Sequence, residues 1–88
     1  MNVVFTKAFE RSLDKIKDER LKREVAESVQ GLINADGVRS IRNIKKLKGH
    51  KTAYRIRVGD FRIGVFIKAD NCIVAAIATR KDIYKRFP

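Results

Sequence analysis

Two short alternating runs, Tyr54 to Val58 and Phe61 to Ile67, meet at the dipeptide Gly59-Asp60, and no other feature so narrows the folds open to this chain. A two-residue loop of this composition joins neighbouring strands as a tight hairpin and fixes their register. Val58 then pairs with Phe61, Arg57 with Arg62, Ile56 with Ile63 and Arg55 with Gly64. One face of the ribbon becomes apolar, and Tyr54 falls on it with Ile56 and Val58. The other face carries Arg55, Arg57 and Arg62. Like charges set opposite one another across a ladder repel unless an anion neutralises them, so the register anticipates a polyanion, with phosphates of nucleic acid as the leading class. Gly64, opposite Arg55, either relieves crowding or lets a backbone or base approach.

The charge of the whole chain agrees with that reading. The formal net charge is +11, and it is unevenly spread: residues 1–44 hold 9 Lys and Arg against 7 Asp and Glu, whereas residues 45–88 hold 12 against 3. The second half therefore supplies the electrostatic footprint, and the first half reads as ordinary solvated helix surface. Lys45, Lys46, Lys48 and Lys51 before the hairpin, and Lys81, Lys85 and Arg86 after it, are the candidate contacts to nucleic acid. Cys72 is the one cysteine, so no internal disulfide forms; it opens an apolar run as a small hydrophobe would, which fits a reducing cytoplasm. No charged, apolar leader opens the chain and no apolar run nears the ~20 residues of a membrane span, so a soluble protein without a membrane partner is expected. No cofactor or metal site is legible, and the chemistry falls to side chains alone.

The remaining segments order themselves by period. Asn2 to Phe5 reads as a strand, and Thr6 caps a helix with Phe9, Leu13 and Ile16 on one side. Asp18 caps a second helix whose stripe runs Leu21, Val25, Val29, Leu32 and Ile33 and which stops near Asn34 to Gly37. Their short connection makes an antiparallel helical hairpin lying on one face of a sheet. Val38 to Lys51 reads as a basic surface segment leading into the sheet. Cys72 to Ala78 lacks alternation, as a central strand covered on both faces does, and Lys81 to Phe87 is a final helical turn or tail. The expectation is one α+β domain over residues 1–88, ordered β-α-α-β-β-β, with a small twisted antiparallel sheet.

Together, VVFTKAFE, the two helices, KKLKGH, YRIRVGDFRIGVFI and IVAAIATRKDIYKRF resemble the RelE/ParE superfamily of bacterial and archaeal toxins, and the RelE-like branch in particular. The resemblance covers nearly the whole chain; its specific part is YRIRVGDFRI followed by TRKDIY. It implies a toxin of a type II toxin-antitoxin system that cleaves messenger RNA in the ribosomal A site without a metal and is restrained by a cognate acidic antitoxin. It also implies a catalytic cluster at Arg55, Arg57, Arg62 and Arg80, with Tyr84 stacking on or hydrogen-bonding to the substrate.

Two positions depart from that pattern. RelE-type members carry lysines on the first hairpin strand where this chain has Arg55 and Arg57, and arginine is a poor proton acceptor near neutral pH. Several relatives place a histidine where this chain has Thr79. The general base is therefore left open among Tyr84, a substrate-held water and His50, the last of which also reads as a solvated loop residue. Two further functions stay in play: a ParE-like inhibitor of DNA gyrase, and a weakened relative that only binds RNA.

Overall fold

The hairpin forms in the anticipated register. In a computed structural model describing residues 1–88, strand β3 (Ala53–Val58) pairs antiparallel with β4 (Phe61–Lys68), and Val58, Arg57, Ile56 and Arg55 lie opposite Phe61, Arg62, Ile63 and Gly64. Gly59 takes φ +58° while Asp60 keeps a negative φ, the pattern of a type II′ turn, which places glycine first in the loop. The turn twists in the same sense as the strands it joins, so the ladder begins at once.

Two helices cover the apolar side of this ribbon. Thr6 Oγ1 accepts from the Phe9 N–H at 3.1 Å and starts helix α1 (Lys7–Asp14). Asp18 accepts from the N–H groups of Arg20 and Leu21 at 2.9 and 3.2 Å and starts α2 (Glu19–Asn34). Each cap satisfies amides that have no partner inside the helix. Phe9, Leu21, Val25 and Leu32 point inward onto Ile56, Ile63, Val65, Val74 and Ile77, and these residues form the main core. Fully burying each aliphatic side chain of this kind stabilises the fold by about 1.5–3 kcal/mol. Tyr54 packs against the same cluster, and Cys72 is wholly buried, its thiol pushed up to about 11 by that burial.

The sheet has five strands in the order β1-β5-β4-β3-β2, where β1 is Asn2–Phe5, β2 is Ile44–Lys46 and β5 is Asn71–Thr79. The α+β class and the helical hairpin on one face are as expected; two details differ. Ile44–Lys46, expected as surface segment, is a short edge strand paired with Tyr54–Ile56. Three residues, two of them lysines, are too few to display a period of two. The second difference is that β1 runs parallel to β5, so the sheet is mixed at one edge.

The opposite face of the sheet explains why β5 lacks alternation. A one-turn helix, α3 (Ile83–Arg86), folds back with Phe87 onto Ala53, Phe66, Ala76 and Ala78, making a second, smaller core. Partway along β5 the phase also changes. Gly64 pairs with Ala76 but Val65 with Val74, which leaves Ala75 without a partner on β4, a β-bulge. Its carbonyl accepts from Thr6 Oγ1 at 2.9 Å, so the residue that starts α1 also secures the bulge.

Candidate functional site

The side of the sheet away from the long helices carries two rows of residues, set by register alone. Lys45 on β2 lies beside Arg55 on β3, which lies beside Gly64 on β4 and then Ala76 on β5. In the next row Arg57 lies beside Arg62 and then Ala78. Arg80 follows directly after β5, and its N–H donates to the Asp60 carbonyl at 2.9 Å, which ties it to the hairpin turn.

Arg62 is the centre of the group. Only 9% of it is exposed, and its Nη1 donates to the carbonyls of Gly59 and Phe61 at 3.0 and 2.9 Å. Its pKa is lowered from the ordinary arginine value, first by burial and then by the positive charges of Arg55, Arg80 and Arg57, with Tyr84 acting in the opposite direction. These interactions bring all five of the residues expected to be catalytic into one electrostatic neighbourhood. No carboxylate neutralises them: the ion pairs of the chain are Met1 amine with Asp70 and Arg20 with Glu24. Pairing of Arg80 with Asp60 or Asp82, which the sequence allows, is not formed.

A cleft of about 490 Å³ opens beside the arginines, between β2, the loop after it and the C-terminal tail; Lys45, Lys46, Lys48, His50, Arg55 and Tyr84 line it. Of the basic residues expected to touch RNA, the structure thus gathers Lys45, Lys46 and Lys48 around Arg55 and Tyr84. Lys51, Lys81 and Lys85 are exposed and outside the lining. Arg86 faces a separate depression of about 270 Å³, shared with Ser12, Lys15 and Ile16 near α1.

Sequence reasoning missed two features here. His50, read also as a solvated loop residue, shares the cleft with Arg55 and Tyr84, and nothing in its own neighbourhood announces that, because the loop reaches the tail only in the folded chain. Phe87 occupies the space above Gly64, so the room that the glycine leaves is filled by the chain itself. The signal for it was the glycine opposite Arg55.

Chemically, the face offers several positive forks, one of them anchored by backbone carbonyls, and two groups able to move a proton, the Tyr84 phenol and the His50 imidazole. Arginine forks grip phosphate oxygens in pairs, and such donors are worth most where charge grows during reaction. No cluster of three His, Cys, Asp or Glu side chains forms, and no helix is long and apolar enough to cross a membrane.

A family model described as the ParE toxin of type II toxin-antitoxin systems, parDE, matches residues 3–84. The chain is 33% identical over 89 aligned residues to Toxin RelE3 of Methanocaldococcus jannaschii, spanning all of both proteins. Its fold is similar to a chain of the RelB-RelE antitoxin-toxin complex from Methanococcus jannaschii, with a TM-score of 0.80 and 30% identity over 97% of this chain and 99% of that one. It is similar in fold also to a chain of the archaeal RelE-RelB complex from Pyrococcus horikoshii, with a TM-score of 0.73 and 20% identity over 90% and 93%.

Proposed function

The chain belongs to the RelE/ParE toxins of type II toxin-antitoxin systems, and from that membership we propose that it stops translation by cutting messenger RNA in the ribosomal A site. One observation carries the reading: Arg55, Arg57, Arg62 and Arg80 share one face with Tyr84 and have no carboxylate partner. A group of that kind is costly to hold together without an anionic ligand, and a scissile phosphate supplies one.

In such a cleavage the 2′-oxygen of one nucleotide forms a bond to the adjacent phosphorus and the bond from phosphorus to the 5′-oxygen breaks. The products are a 2′,3′-cyclic phosphate and a free 5′-hydroxyl. One proton leaves the 2′-hydroxyl and one is delivered to the departing 5′-oxygen. Arg62, held by Gly59 and Phe61, and Arg80, tied to the turn, bind the phosphate oxygens as they gain charge. Arg55 and Arg57 hold the strand from the side of β3, and Lys45, Lys46 and Lys48 extend the contact along the flanking backbone. Tyr84 stacks on a base or donates a hydrogen bond. Tyr84, a substrate-held water and His50 are the candidates to exchange the two protons. The ribosome contributes by holding the strand bent and in line for attack.

A cognate antitoxin is the second partner, as in the RelB-RelE complexes to which the fold is similar. An acidic chain complements a +11 surface and associates quickly through electrostatic steering.

The matching family model is described by the ParE toxin, which keeps gyrase inhibition as a second reading. Primer extension on a translated message, after brief induction of the wild-type chain and of Arg80→Ala, separates the two. Cuts that need translation and disappear with Arg80→Ala are the expected result. Growth arrest without new cuts, undiminished by Arg80→Ala, would give the gyrase reading the field.

A further inference from the structure

Tyr84 stands on a helix that cannot hold itself. The helix has four residues, closed by the Phe87 N–H to the Ile83 carbonyl at 2.8 Å and the Lys85 N–H to the Asp82 carbonyl at 3.0 Å. A single turn is unstable on its own, because ordering its backbone costs more than its few hydrogen bonds return. Nor does Tyr84 fix its own place, since 59% of it is exposed. What holds the segment is its two flanking anchors, Ile83 at 1% exposure and Phe87 at 4%.

The seat for the second anchor is cut into the sheet by small residues. Ala53, Ala76 and Ala78 surround the middle of β4, and Gly64 lies at its centre. A Cβ built on Gly64 would fall 2.6 and 2.7 Å from Cδ2 and Cδ1 of Phe87, closer than carbon atoms approach in proteins, so alanine there displaces the ring. Phe66 flanks the same ring, with centroids 4.8 Å apart and planes at 52°.

We propose that the socket formed by Gly64 and Phe66, filled by Phe87, positions Tyr84 over the arginine face, which makes Gly64 and Phe87 positioning residues for the cleft. The claim about placement stands on geometry; its consequence for cleavage rests on the nuclease reading. The chain contains no Trp and two Tyr, so a Tyr54→Phe background leaves Tyr84 as the sole tyrosine, and its emission anisotropy, excited at wavelengths where phenylalanine does not absorb, reports its mobility directly. In that background Gly64→Ala is expected to lower the anisotropy while circular dichroism still shows a cooperative melt. Cleavage on the ribosome should slow by about 100-fold, as for a group displaced by ~1 Å, with ribosome affinity unchanged. Phe87→Ala, which leaves the strands untouched and removes the ring together with its Cγ, the atom a Gly64 Cβ meets most closely, should also lower the anisotropy. Adding Gly64→Ala to Phe87→Ala should cost little more, because the clash is gone. Unchanged anisotropy in Phe87→Ala, or strictly additive effects of the two substitutions, would overturn the socket. The fluorescence does not depend on catalysis, so a wild-type chain that fails to cut overturns the nuclease reading alone.

Discussion

Arg62 sits nearly out of water, with three arginines around it and no ion pair to a carboxylate, so its charge opposes folding while its two hydrogen bonds to Gly59 and Phe61 favour it. Replacing a whole buried ion pair by apolar side chains of similar volume is often neutral or stabilising, by about 1–4 kcal/mol, and Arg62 has no ion-pair partner to lose. Arg62→Met keeps the packed stem and removes both the desolvation and the repulsion. It should melt at or above the wild-type temperature in low salt, while cleavage falls by at least about 100-fold, the cost of one lost charge-stabilising donor. Thermal denaturation beside a cleavage assay checks both halves. A fall of more than about 10 °C would show that the guanidinium is structural, since 1 kcal/mol shifts a domain of this size by about 4–8 °C.

At the scale of elements, Thr6 joins three pieces of the fold: the end of β1, the first turn of α1 and the bulge in β5. Its hydroxyl accepts from Phe9 and donates to Ala75, so Thr6→Val, equal in shape, removes both bonds at once. A lost cap costs about 1 kcal/mol and a second lost bond a similar amount, so urea unfolding should show a loss of about 2 kcal/mol, and Thr6→Ser should restore most of it. Both helix caps and the hairpin register were legible because each depends on residues a few positions apart. The edge strand Ile44–Lys46 was not, because it exists only through its pairing with Tyr54–Ile56. The same limit applies to the site. Arg55, Arg57 and Arg62 could be placed by register, and Arg80 and Tyr84 came from family resemblance. That His50 lies in the cleft with Tyr84, and that Phe87 fills the space over Gly64, depends on where the tail folds back, and a local pattern does not encode that.

For the molecule as a whole, most of the net positive charge lies in the second half of the chain, and no arginine of the face is held in an ion pair. A ligand that binds only the folded state raises its stability, so inorganic phosphate or a short oligonucleotide should raise the melting temperature well beyond chloride at equal ionic strength. The difference should vanish when Arg55, Arg57, Arg62 and Arg80 are all replaced by glutamine. An equal response to chloride and phosphate would mean that general screening, rather than a defined site, relieves the repulsion. The bulge in β5 bears on how such a molecule can change over generations. Inside a sheet the loss of one residue ordinarily turns every later side chain to the wrong side. Ala75 is the exception in β5: without it Val74 would still meet Val65 and Ala76 would still meet Gly64. The strand holds one spare position, placed between the half that builds the scaffold and the half that leads to Arg80 and Tyr84, and a lineage could drop or regain it there without scrambling either.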